Sequence, residues 1–455
     1  MTKALFYHPS IENIPLLTVP LAFLHLATAL QGGPHEIELV DGRREKDPIA
    51  AVLDRVHGAD MMLVSTMPGS QIASALAVCE AVKTAVPDLP IFWGGPHPSV
   101  DWEGTIASPV VSGVVVGRGE FTISDLLDSY CDHERLAQVP NLLFKNDRNE
   151  IIRTKRISFS DRKPQPPDFD LLADVEPYIC QTRRSKRMLD YISSFGCPHR
   201  CTFCSEPVTS GSHWSCLDAD VLVREVQSLI SRYGIDGILF QDAKFVTDRK
   251  RLVKFCTGLI ESNTKINWIA TACGTDIFPL HDNGILKLMQ QSGCEQLFIG
   301  AEAASAETLS KYFKTVEGEA TYRMARLLWE EYDILPHFSY VISYPIEDMD
   351  QVKKTLHLHQ SICEIVKAPT GELGIYNPVA QTGFFQQYQH HFHVPETLSD
   401  WSRFSYFSQN MYKTPSSELQ KVLFQHHIKI RRMFPNVESY KTFDVWQEQY
   451  QAQPA

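Results

Sequence analysis

At 455 residues the chain is about three times an ordinary domain, so two or three domains are expected. Its 44% hydrophobic and 21% charged residues exclude disorder, collagen-like repeats and coiled coil as whole-chain descriptions. With 43 Lys and Arg against 54 Asp and Glu, the net charge of −11 excludes nonspecific nucleic-acid binding through a broadly basic surface.

Residues 4–7 predict a first strand, without the basic cap and long apolar core of a secretory signal. No apolar run approaches the roughly 20 residues of a membrane span. The longest, 15–30, is interrupted by Thr18, Pro20, His25 and Thr28, and its 21–30 portion has helical spacing. A second strand at 37–40 ends in Asp41-Gly42, and residues 48–57 predict a helix with Ile49, Val52, Leu53 and Val56 on one face. Residues 61–64 are wholly apolar, as in a buried parallel strand, and 72–86 predict a helix stopped at Pro87. Strands at 91–93, closed by Gly94-Gly95-Pro96, and at 113–116 complete the series. Strands spaced by helices predict an α/β domain over 1–140, a doubly wound, Rossmann-like parallel sheet with ligands at the strand C-terminal ends.

The pattern loosens over 141–186. A hairpin around Asn146-Asp147-Arg148-Asn149 and the run Lys163-Pro164-Gln165-Pro166-Pro167-Asp168 predict a connector and the domain boundary. Alternation then restarts, with strands at 189–193, 237–241, 267–271, 296–299, 337–343 and 372–376 and helices between them. Six β/α units over 187–385 fall short of the eight in a closed barrel and predict a partial, open one. Residues 386–455 predict a small helical extension. Its His390, His391 and His393 read as a solvated turn, since only i, i+3 and i+4 share a helix face. Eleven Cys without an export signal predict reduced thiols in a cytoplasmic protein.

Three of those Cys carry the sharpest signal. Cys197, Cys201 and Cys204 stand at C-x3-C-x2-C, directly after a strand and the Gly196 turn. A cubane iron–sulfur cluster takes one thiolate per iron, so three Cys leave one iron open to a ligand that is not protein. Catalytic metal sites keep such an open position. A structural zinc site would need a fourth ligand, His199 or Cys216, and His199 lies awkwardly between two of the Cys.

This motif, with Phe203 just before the last Cys, resembles that of the radical S-adenosylmethionine (SAM) enzymes, a likeness extending over about 187–381. The resemblance implies that Cys197, Cys201 and Cys204 hold a 4Fe–4S cluster whose open iron is chelated by SAM. One electron, from an external reductant of flavodoxin or ferredoxin type, would then release a 5′-deoxyadenosyl radical. It also implies cofactor contacts from Phe203, from Gln241 and Asp242 at the second barrel strand, and from Glu302 in Gly300-Ala301-Glu302. A last contact is Ser343 in Ser343-Tyr344-Pro345-Ile346-Glu347, where the family pattern has Gly.

The preceding domain is similar to that of the cobalamin-dependent subclass. Ser65-Thr66 and Gly94-Gly95 stand at the second and third signature positions, and Gly117-Arg118-Gly119-Glu120 resembles a Gly-Glu-Gly-Glu turn. The resemblance therefore implies that Ser65, Thr66, Gly94, Gly95, Gly117 and Glu120 face cobalamin. At the first position Arg43 replaces the cobalt-ligating His; a guanidinium has no lone pair to donate, so this motif supplies no histidine ligand. The implied activity is methylation of an unactivated carbon or phosphorus of a small molecule. The radical would abstract a hydrogen, methylcobalamin deliver the methyl group, and a second SAM restore it. A radical cyclase or ring-rearranging enzyme without methyl transfer is the alternative. A corrin-binding carrier or sensor is a third reading, against which the three Cys argue, because a sensor has no need of an open iron.

Overall fold

The computed structural model describes residues 2–11, 17–158, 162–310 and 318–434. Strands β1 (Lys3–His8), β2 (Glu36–Asp41), β3 (Met61–Ser65), β4 (Ile91–Gly94) and β5 (Gly113–Val115) form a parallel sheet in the order β2-β1-β3-β4-β5. That is a doubly wound order with its switch point between β1 and β3. Alternate residues serve two cores. Leu5, Tyr7, Met62, Val64 and Trp93 join one, and Ala4, Phe6, Met61, Leu63 and Phe92 the other. Burial of both faces is why these strands read as unbroken apolar runs.

The hairpin assigned on sequence to the connector belongs instead to this sheet. Its strands β6 (Leu142–Lys145) and β7 (Ile151–Arg153) continue the sheet past β5, both antiparallel to their neighbours. Pairing β6 satisfies the edge groups that β5 would otherwise leave open.

The second sheet holds six parallel strands in sequential order. They are β8 (Met188–Tyr191), β11 (Gly237–Phe240), β12 (Asn267–Cys273), β13 (Cys294–Glu302), β14 (Leu335–Ile342) and β15 (Glu372–Ile375). With β8 and β15 as its edges, it curls into an open half-barrel backed by helices such as Ala219–Tyr233, Arg249–Glu261 and Met349–Val366. Between β8 and β11 lies a two-stranded antiparallel ribbon, β9 (Ser194–Gly196) and β10 (Trp214–Cys216). The three-cysteine loop is carried between its strands.

The C-terminal extension is helical at Gly383–Tyr388 and Ser417–Met433, and residues 435–455 lie outside the described residues. Between those helices, residues 401–412 form a strap. Gly69 N–H of the first domain donates to Trp401 O at 3.0 Å, and Ile375 N–H of β15 donates to Tyr406 O at 2.7 Å. No helix among the described residues is long and apolar enough to cross a membrane. No disulfide joins any of the eleven cysteines.

Candidate functional site

The loop starts where only glycine fits. Gly196 has φ +81°, and a Cβ there would stand 2.0 Å from His213 O, so a side chain would force the ribbon apart. Within the loop, Cys204 N–H donates to Cys201 O at 3.2 Å, and Glu206 N–H points to Cys204 Sγ at 3.5 Å. Burial pushes the Cys204 thiol up to about 12 against the lowering effect of the Glu206 backbone hydrogen bond, with the charges of Glu206, Cys201 and Cys197 adding smaller rises. Phe203 meets Tyr344 edge-on at 6.0 Å, which ties the loop to the end of β14. Among the described residues no three His, Cys, Asp or Glu side chains converge on one point as a single-ion site requires. A cubane takes each thiolate on a different iron, so its ligands stand apart.

The sequence-predicted residues at the barrel strand ends fall into two groups. Glu302 ends β13 and Ser343 directly follows the adjacent β14, and both adopt left-handed backbone, at φ +60° and +65°. Such strain persists only where the surroundings enforce it. At Ser343 they do: Gln409 Nε2 donates to its Oγ at 2.7 Å, and Tyr412 hydroxyl donates to its carbonyl at 2.5 Å and to Tyr376 O at 2.8 Å. The extension thus holds Ser in a conformation that explains glycine in the family pattern. Gln241 is exposed at the end of β11, its amide donating to Asp190 at 2.7 Å.

Asp242 departs from expectation. Its fully buried carboxylate accepts from Ser193 N–H at 3.0 Å, from Ser193 Oγ at 2.8 Å and from Ser194 Oγ. Fully buried and held by three donors from Ser193 and Ser194, it braces two strand ends.

A cavity of about 610 Å³ lies between the C-terminal ends of β3, β4 and β5 and the ribbon that bears the cysteines. Ser65, Gly94, Gly95, Gly117 and Glu120 all line it. Thr66 does not; it is buried behind the wall, its N–H donating to Gly94 O at 3.1 Å. Gly95 has φ +92°, and a Cβ would meet Ser65 Oγ at 2.5 Å and Thr66 N at 3.1 Å. From the barrel side come Gly196, Glu206, Thr209 and Trp214.

Two wall residues were not legible as such. Arg118, visible only as a departure from the turn pattern, pairs with Glu120 at 2.6 Å, donates to Ser215 Oγ at 2.6 Å and lies 4.6 Å over the Phe195 ring. It joins the two domains across the cavity. His25, from the helix Leu21–Leu30, meets Phe195 edge-on at 4.9 Å; burial and then Arg118 push it down to about 3, so it stays neutral. In sequence it is one more position on an apolar helix.

The B12 binding domain family matches residues 7–127, and the Radical SAM superfamily matches residues 191–358. The chain is a B12-binding-domain radical SAM enzyme. It is 26% identical over 349 residues to an uncharacterised methyltransferase of Pyrococcus horikoshii, covering 74% of this chain and 72% of that protein. It is 25% identical over 361 residues to the anaerobic magnesium-protoporphyrin IX monomethyl ester cyclase of Synechocystis sp., covering 76% and 69%. The solved radical SAM methyltransferase TsrM of Kitasatospora setae, with tryptophan substrate and a SAM analogue bound, matches with a TM-score of 0.73 at 16% identity. That match covers 96% of this chain and 92% of the other, and it establishes a shared fold for this radical SAM enzyme.

Proposed function

We propose that this radical SAM enzyme is a cobalamin-dependent methyltransferase acting on an unactivated carbon, or phosphorus, of a small molecule. One observation carries the reading: the strand ends of the B12-binding domain and the ribbon bearing the three cysteines line a single cavity. The residues present fit both groups. At Gly117 the space where a Cβ would stand is open to within 3.6 Å of Thr209 O, at Gly95 the missing Cβ lets the wall pack directly on Ser65 and Thr66, and three cysteines sit on one short loop.

In this reading Cys197, Cys201 and Cys204 hold the 4Fe–4S cluster, and Phe203, Gln241, Glu302 and Ser343 surround SAM. Ser65, Gly94, Gly95, Gly117 and Glu120 cradle the corrin. When bound, the cluster supplies the electron that cleaves SAM and the corrin carries the methyl group. The chain's own share is orientation and exclusion of water. Arg118, engaged with Glu120 and Ser215, keeps the domains closed on the cavity, and neutral His25 adds no charge to its wall. An external flavodoxin- or ferredoxin-type protein delivers the electron, in the cytoplasm.

A substrate C–H bond is too weak an acid for polar methylation, so a hydrogen atom must leave first. Two molecules of SAM should therefore be consumed per turnover. One yields 5′-deoxyadenosine and the other S-adenosylhomocysteine. Incubation with methyl-trideuterated SAM, a low-potential reductant and candidate substrates tests this by mass spectrometry. Equal by-products with a trideuteromethylated product support the reading. Product accompanied by 5′-deoxyadenosine alone, without label transfer, would replace it with the cyclase reading, which the 25% identity to the Synechocystis cyclase also brings into view.

A further inference from the structure

Lys244 lies just past the end of β11 and is buried. Its Nζ stands 2.8 Å from His199 Nε2 and 3.1 Å from Asp276 Oδ1. An ammonium can only donate, so His199 accepts at Nε2 and carries its own proton on Nδ1. The other oxygen of Asp276 accepts Cys273 N–H at 2.8 Å, where β12 ends and the helix Gly274–Asp282 begins. The chain of contacts therefore runs from the cysteine loop through His199 and Lys244 to the end of the next barrel strand.

His199 is placed midway between Cys197 and Cys201, two residues from each. A tether at that point fixes the relative positions of both sulfurs, where a tether at either end would fix one. Burying an ammonium is unfavourable unless it is paired and hydrogen-bonded, and here both conditions are met by a loop histidine and a cap aspartate. A positive charge behind the loop, in a region of low dielectric, also lowers the free energy of adding an electron to a redox group held there.

We propose that Lys244 is a positioning residue for the three-cysteine loop, holding it at His199 from the ends of two neighbouring barrel strands and placing a cation behind the cluster. The inference rests on the cluster reading given above. The test uses the full chain, reconstituted anaerobically with iron and sulfide. It reads iron per chain during a chelator challenge, and the midpoint potential from electron paramagnetic resonance of the reduced cluster. His199→Phe removes the acceptor, and Lys244→Met removes the donor. Should Lys244→Met fail to fold because Asp276 is left half-buried without its cation, the double variant Lys244→Met/Asp276→Asn removes both charges together. Iron loss several-fold faster than in wild type is expected in each. In Lys244→Met the potential should also move to more negative values, and Lys244→Arg should restore both properties. Wild-type chelator resistance in His199→Phe and in the double variant, or an unchanged potential in a folded Lys244→Met, would overturn the role of Lys244. A wild-type chain that itself takes up no four-iron cluster would instead overturn the proposed function.

Discussion

The guanidinium of Arg43 donates to both carboxylate oxygens of Asp41, from Nε at 2.8 Å and from Nη2 at 2.6 Å. Nη2 also donates to Thr18 O at 2.8 Å, and Tyr178, from the connector, donates its hydroxyl to Asp41 at 2.8 Å. The side chains of the pair are only 2% and 5% exposed, and neither residue lines the cavity. Arg43, where the resemblance expects a cobalt-ligating histidine, is thus engaged with Asp41, whose carboxylate also ties the first domain to the connector through Tyr178. Burial by itself would raise the Asp41 carboxyl, but the hydrogen bonds and charge of Arg43 outweigh it and hold the group below the usual carboxylate range.

Removing one partner leaves the other charged and buried. Arg43→Met should destabilise the first domain by about 3–5 kcal/mol at pH 7, read from urea unfolding. Because the folded Asp41 pKa is depressed, the pair stabilises above the ordinary carboxylate pKa, and its contribution is lost as pH falls through the folded value. The gap between wild type and variant should therefore close in acid. A gap of constant size would refute the pairing.

Replacing Cys197, Cys201 and Cys204 together with Ala should abolish iron uptake while hydroxocobalamin still binds. The cavity wall at Ser65, Gly94 and Gly95 belongs to a separate sheet from the loop. Iron analysis and the visible spectrum of the bound corrin check both halves. Four irons retained in the triple variant would remove the cluster from this loop.

Gly95→Ala should do the reverse. A Cβ at φ +92° brings backbone strain of about 1–3 kcal/mol, besides the 2.5 Å approach to Ser65 Oγ. Hydroxocobalamin affinity should fall at least about tenfold, by roughly 1.4 kcal/mol or more, with iron uptake unchanged. Spectroscopic titration measures the first; equal affinity would mean that the corrin does not approach this turn.

Glu347 closes the turn after β14, accepting Tyr344 N–H at 3.1 Å. Burial pushes its carboxyl up to about 7 against the lowering effect of the Tyr344 and Ser343 backbone hydrogen bonds. A folded pKa raised above the ordinary 4.5 stabilises fully below that value and loses its contribution as pH rises through about 7. Glu347→Gln lacks that loss, so its stability relative to wild type should grow by about 2 kcal/mol between pH 5 and 8. A pH-independent difference, measured by thermal unfolding, would contradict this.

The strands of both sheets were legible because burial on two faces writes itself as short apolar runs, as in Met61–Ser65. The cysteine loop was legible because its chemistry depends on local spacing. What depends on a distant partner was not. The β6–β7 hairpin carries its turn signal at Asn146–Asn149, but its choice of β5 as neighbour is a tertiary matter. Asp242 matches a cofactor position, and nothing nearby in sequence reveals that Ser193 and Ser194 engage it in the interior. Lys244 meets a histidine 45 residues away, and Arg118 a serine 97 away. Ser343 looked like an unfavourable replacement until Gln409 and Tyr412, from the extension, accounted for its backbone.

The strap at 401–412 touches the first domain at Gly69 and the barrel at Ile375 and Ser343. Synthesis proceeds from the N-terminus, and domains fold as units as they emerge. Both walls of the cavity therefore exist before the segment that fastens them leaves the ribosome. The order of the chain lets the two domains form first and be fastened to each other last, which makes assembly of this molecule a matter of timing as well as of affinity.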